Sequence, residues 1–199
     1  MKLPGRTVPH LVLILAMPVF LYGCAIIDST IKPELNGAVA SSRLREKREI
    51  HLIVSEESET NIRQGVKKNG FGMDLSNIYI EQGPSQMLRE ALAIELKAAG
   101  FTVSGGGADT YPLLEVRIRR CFAEPEVGFF GADVYSVIEA ELFMQVDEGH
   151  AFARRIKGIG KKFTMVWTDS FYEDSFVLAF EDFMMKAVPA IVELTEGRP

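Results

Sequence analysis

The sequence predicts an α+β fold, a two-layer sandwich whose mixed or antiparallel sheet, with a C-terminal β-meander, packs against two helices. Three observations carry this. Residues 111–122 and 133–146 alternate apolar and polar side chains with period two, as half-buried strands do. Residues 85–99 and 170–194 instead repeat apolar side chains at helical spacing. The segments run strand, helix, strands, helix, and elements with one apolar face each bury it by stacking in two layers.

Ile50–Val54 is short and β-branched, with both faces largely apolar, and reads as a central first strand. Residues 61–76 place Gly65, Gly70 and Gly72 around Lys67, Lys68 and Asn69 and are expected to form a long irregular loop, with a short strand at 77–80. The first helix is expected to begin near Ser85, an N-cap behind Gly83-Pro84. Leu88, Ala91, Leu92, Leu96 and Ala99 form its apolar face, and Gly100 supplies the left-handed residue that ends it. Phe101–Val103 is a brief extended piece that leads to Gly105–Gly107.

In the meander, Leu114, Val116 and Ile118 oppose Glu115, Arg117 and Arg119. Val134, Ile138, Ala140, Leu142, Met144 and Val146 then share a face that only Ser136 interrupts. Residues 151–167 make a third strand in which Gly158 and Gly160 suggest a bulge or bend. The last helix turns Phe176, Phe180, Phe183, Ala187, Ala190 and Leu194 inward, with Pro189 expected to kink it.

Ahead of all this lie Lys2 and Arg6, then the apolar run Leu11–Tyr22, with no acid before Asp28. A basic start, a short apolar stretch and a small residue before the cut make a secretory signal, residues 1–23. The run is shorter than the about 20 apolar residues a spanning helix needs. Leu21-Tyr22-Gly23-Cys24 looks like a bacterial lipobox, so Cys24 is the expected site of lipidation and the membrane is a partner through that lipid. Ala25, standing where an inner-membrane retention signal would have Asp, favours the periplasmic face of the outer membrane. Residues 24–49 read as a lipidated cysteine and tether, and 50–199 as a single periplasmic domain. A flexible tether of that length reaches roughly 25–30 Å, which would let the domain sit clear of the bilayer.

Removing residues 1–23 takes away two of the 22 basic residues and none of the 27 acids, leaving 20 against 27 and a net charge of −7. That balance argues against a nucleic-acid partner, which needs a basic surface. With Cys24 acylated, Cys121 has no partner in the chain and is expected to be a small buried residue on a strand. His51 and His150 stand apart, without a cysteine or histidine at ligand spacing, so no metal or other cofactor is expected. Gly158–Lys162 lacks the spacing and the hydroxyl residue of a phosphate loop, and no G-x-S-x-G elbow occurs. Glu56, Glu57 and Glu59 read as a solvated loop, and Asp169, Glu173 and Asp174 as flanking a helix start. No catalytic residue is assigned.

Two features suit binding. Gly128-Phe129-Phe130-Gly131 falls where the first meander hairpin turns. Its aromatics either project as a contact for a partner or lipid, or fold back to cap the core. Arg63, Lys67 and Lys68, set between glycines, form a basic loop on an acidic protein, a candidate docking site for an acidic surface or a glycan.

The chain resembles the YajG-like bacterial lipoproteins. The resemblance rests on the Leu-x-Gly-Cys-Ala start, on Arg63-Gln64-Gly65-Val66 leading through Lys68-Asn69-Gly70-Phe71-Gly72, on Leu96-Lys97-Ala98-Ala99-Gly100-Phe101, and on Leu113-Leu114-Glu115-Val116. The outline is also similar to the N-terminal domain of the Tol-system periplasmic protein and to auxiliary lipoproteins of envelope lipid transporters. The resemblance implies a non-enzymatic lipoprotein serving as a binding or accessory module for another envelope component, protein or glycan. The alternative is an auxiliary subunit of a lipid or lipopolysaccharide transport system working through an apolar groove.

Overall fold

The computed structural model describes residues 27–35, 37–57, 63–105, 111–148, 150–166 and 168–197. Among the described residues eight strands form one mixed sheet: β1 (Ser29–Ile31), β2 (Arg48–Glu56), β3 (Gly65–Lys68), β4 (Asp74–Ile80), β5 (Phe101–Ser104), β6 (Leu113–Val127), β7 (Ala132–Gln145) and β8 (Ala151–Thr164). Helices α1 (Pro84–Ala98) and α2 (Asp169–Thr195) cover one face of the sheet, completing the α+β sandwich with its C-terminal meander. The segments expected to be signal peptide and lipidated cysteine, residues 1–23 and Cys24, lie outside the described residues. So do Glu59, Gly106 and Gly107. Among the described residues no helix is long and apolar enough to cross a membrane.

β6 is the hub. Along one edge it pairs antiparallel with β7 from end to end. Along the other it carries β2 in parallel at residues 113–118 and then β3 at Ala123. The sheet therefore forks: β5 extends the β2 branch, while β4 and then β1 extend the β3 branch. A register shift between Ile118 and Arg120 falls where the two branches part.

The alternating residues face as expected. On β7 every second residue from Ala132 to Met144 is buried, and Phe176, Phe180 and Phe183 of α2 are buried in the same core. Ser136, the one polar residue in that row, meets Ser175 of α2 at 2.5 Å between hydroxyl oxygens, so its burial leaves no donor unmatched. The α1 cap lies two residues before the expected Ser85. The helix opens at Pro84 behind Gly83, and the Glu56 carboxylate accepts the Ser85 N–H. Gly100 follows the helix with φ +103°, in the left-handed region as expected.

Three expectations are corrected. The glycines of β8 form no bulge, since pairing with β7 runs through Gly158 and Gly160 without a shift. They are there because α2 lies against the strand: a Cβ on Gly158 would stand 2.2 Å from Ala179 O, and one on Gly160 1.8 Å from Ser175 O. The edge so covered is capped by Asp182, which accepts the Ile159 N–H at 2.8 Å, and by Lys186, which donates to Lys157 O at 3.0 Å. Residues 61–76 are not one irregular loop, because β3 and the start of β4, joined by the turn at 69–73, form a hairpin there.

The tether is also corrected. β1 is an edge strand of the sheet, and Leu35, Val39, Ala40 and Leu44 pack on the core. Glu95, buried in α1 at 3% exposure, accepts the N–H groups of Val39 (2.6 Å) and Ala40 (3.1 Å). The segment has no period because it is a strap across the helices, and periodicity analysis registers only helices and strands.

Candidate functional site

Ile94, Phe152, Ile159, Leu178 and Met185 are exposed at scattered positions, but the most exposed apolar side chains, Phe71, Phe129, Phe130, Met165 and Val166 among them, lie at one end of the sheet, built from three separate connections. The first is the β6–β7 turn, closed by a 2.7 Å bond from Gly128 N to Gly131 O. Gly131 has no room for a side chain: a Cβ there would lie 2.5 Å from Thr164 O and 2.9 Å from the Phe163 ring. With the turn held so tightly against β8, Phe129 and Phe130 project, 96% and 82% exposed, their rings edge to face at 4.9 Å. Of the two placements left open by the sequence, the structure takes the projecting one.

The second connection is the β3–β4 turn. Asn69 Oδ1 accepts the N–H groups of Phe71 (2.9 Å) and Met73 (3.0 Å), and the Phe71 ring stands 90% exposed. Sequence reasoning missed Phe71 and Met73. The signal was Asn69-Gly70 between two extended stretches, a strong short-range hairpin mark. The third connection leads from β8 into α2 and exposes Met165 and Val166, with Thr164 Oγ1 accepting the Val166 N–H at 3.0 Å. Since β3 runs parallel to β6, the two hairpin turns lie at the same end. β8 ends beside the start of β7, which brings the third connection to that end as well.

The basic residues singled out from sequence serve the fold here. Lys67 is buried and reaches Asp169 at the start of α2 (2.8 Å) and Ser29 of β1 (2.5 Å). Lys68 pairs with Glu124 of β6 at 3.1 Å, and Arg63 is exposed beside Asp74 (3.7 Å) and Asn77 (3.2 Å). The expected mobile basic patch is thus a strand with its lysines tied to neighbouring elements.

The sheet face turned away from the helices carries a ladder of paired charges. Arg117 binds Glu115 at 2.7 Å and lies over the Phe143 ring at 4.6 Å. Glu141 accepts from Arg155 (2.7 Å) and Arg119 (2.6 Å), hydrogen bonds that hold its carboxyl below the usual range. Lys161 sits between Tyr135 and Asp133, whose hydrogen bonds hold its ammonium charged well above the usual range. Arg119 also pairs with Glu57, and Asp174 with Lys162 at 2.9 Å. His51 Nδ1 meets Ser104 Oγ at 2.8 Å, and His150 pairs with Asp147. Cys121 is buried in β6, where loss of water and then the nearby Glu56 push its thiol far up.

No family model and no curated protein sequence matches this chain. A Xanthomonas campestris protein of the DUF330 family is similar in structure, with a TM-score of 0.59 at 10% identity over 85% of this chain and 99% of that one. The two share a fold. Looser likenesses, which carry no argument, are a hypothetical protein of Chlamydia trachomatis and a minor lipoprotein of Acinetobacter baumannii. The first has a TM-score of 0.47 at 7% identity over 77% of this chain and 99% of its own; for the second the figures are 0.39, 9%, 78% and 94%.

Proposed function

We propose that this protein is a lipoprotein of the YajG-like kind, acylated at Cys24 and held at the periplasmic face of the outer membrane. Its domain acts by binding, as an accessory module for another envelope component, and not by catalysis. The observation that carries the reading is Leu21-Tyr22-Gly23-Cys24 behind a basic start and a short apolar run. The paired charges of the open sheet face and the projecting Phe129 and Phe130 support binding over chemistry.

The transport alternative requires an apolar groove. The crevice between the strap and the helices, lined by Leu35, Val39, Ala91, Ile94, Phe180 and Met184, has about 20 Å³ of free space, room for about one water molecule. A more open groove of about 380 Å³, lined by Val127, Phe130, Ala132, Tyr135 and Phe163, lies beside the aromatic turn, and an acyl chain co-purifying with the delipidated domain would favour the transport alternative. Metabolic labelling with a palmitate analogue tests the anchor: the wild type takes up label and the Cys24→Ser variant does not. Equal labelling of both would refute the proposal. Crosslinking in intact cells then identifies the component bound.

A further inference from the structure

We infer that the end of the domain bearing Phe71, Met73, Phe129, Phe130, Met165 and Val166 lies on the phospholipid bilayer, its side chains seated in the interfacial zone. The inference rests on the lipoprotein reading above and adds a fixed orientation to it.

The course of the chain is the first argument. β1 runs parallel to β4, so going back from Ser29 the chain approaches the β3–β4 turn. Asp28 accepts the Asn77 N–H at 2.6 Å and keeps the chain on that course, with Ile27 exposed beyond it. Cys24 is three residues further back. Three residues span at most about 11 Å, so an acyl chain on Cys24 enters the membrane beside these turns. Because the expected tether is a strap bound to the domain, the domain has no slack with which to stand away.

The chemistry of the turns is the second. Exposed apolar patches in soluble surroundings mark contacts, and large apolar side chains near the headgroups anchor proteins at bilayers. Backbone groups that enter lipid must be satisfied internally, and five N–H groups of these turns have an acceptor within their own connection. Asn69 takes the N–H groups of Phe71 and Met73, its backbone oxygen takes that of Gly72, Gly131 takes that of Gly128, and Thr164 takes that of Val166.

The third argument is charge. Lys67, Lys68, Lys161 and Lys162 near this end each pair with a carboxylate, so among the described residues these lysines offer no free basic patch to an anionic surface. The occupant is an apolar one, and contact is insensitive to salt and to lipid charge.

Nitroxide labels at Phe71→Cys, Phe129→Cys and, as a control on the opposite turn, Glu148→Cys test this in the lipidated protein reconstituted into phosphatidylcholine vesicles. Buried Cys121, its thiol pushed up, stays unlabelled. The expected result is that labels at 71 and 129 are accessible to oxygen and shielded from a water-soluble nickel chelate, with the reverse at 148. The pattern should persist with added anionic lipid and at high salt. Three labels equally open to the chelate would overturn the inference. Shielding that requires anionic lipid, or that appears only when another envelope protein is added, would overturn it too. Should palmitate labelling show Cys24 unacylated, the same labels are read on a chain ligated at residue 24 to a synthetic lipopeptide, which keeps the two failures apart.

Discussion

The two turns of the meander are each closed by a backbone hydrogen bond, and their exposed side chains have opposite chemistry. At the β7–β8 turn Val146 N donates to His150 O at 3.0 Å, and the Asp147 carboxylate accepts the His150 N–H at 3.0 Å. Asp147, Glu148 and His150 are exposed there, the composition expected of a turn in water. At the β6–β7 turn the exposed positions are Phe129 and Phe130. Both turns close with a backbone bond and neither supplies the core, so hairpin geometry does not demand aromatics. The difference lies in what each end of the molecule meets: water at one, and in our proposal lipid at the other.

Both ends depend on the contact of β8 with α2, and removing it is the severest way to break the comparison. Gly160→Val puts a branched side chain where even a Cβ would stand 1.8 Å from Ser175 O. We expect loss of cooperative melting, an effect above the about 4–5 kcal/mol that is exceptional for a point change. Gly70→Ala, with nothing within 4 Å of its added carbon, should stay within about 0.5 kcal/mol. Equal melting of the two variants would show that the helix does not press on the strand as described.

A smaller effect sharpens the link between one end and the anchor. Glu95→Ala removes the acceptor for the half-buried N–H groups of Val39 and Ala40 and should destabilise the domain by about 1–3 kcal/mol, since hydrogen bonds to a charged group are the stronger ones. It should also raise amide exchange through residues 37–44 well above that of β7. Unchanged exchange there would mean that packing by Leu35 and Leu44 holds the strap without the carboxylate.

That strap also shows where sequence reading stopped. The meander and both helices were legible because one buried face imposes a period: the alternation from Val134 to Met144 and the phenylalanines of α2 could hardly be read otherwise. β1, β3 and β4 were not, because each is short and draws its place from distant partners. Gly65 meets Ala123 O, Lys67 reaches across to Asp169, and Glu95 holds Val39 from 56 residues away. The glycines of β8 were seen but misread, since a close helix and a bulge leave the same mark in a strand. Of the candidate contact residues, Phe129 and Phe130 were found by their misfit at a turn. Phe71 and Met73 were hidden by reading their hairpin as a loop.

The smallest expected effect is the one that gives the comparison its meaning. Phe129→Ser/Phe130→Ser removes two large, exposed rings, and exposed positions of this kind alter stability by less than about 0.5 kcal/mol. Asp147→Asn at the other turn should do no more, whereas Phe176→Ala, fully buried, should cost about 3–5 kcal/mol. Denaturant midpoints of the three variants decide whether the aromatic turn belongs to the fold. A midpoint for the double variant as low as that of Phe176→Ala would place the rings in the core and leave the two turns alike in purpose. Midpoints equal to the wild type at both turns would mean that neither is kept for stability. The aromatic pair, which carries a cost in water that the polar turn avoids, is then explained only by a surface it meets.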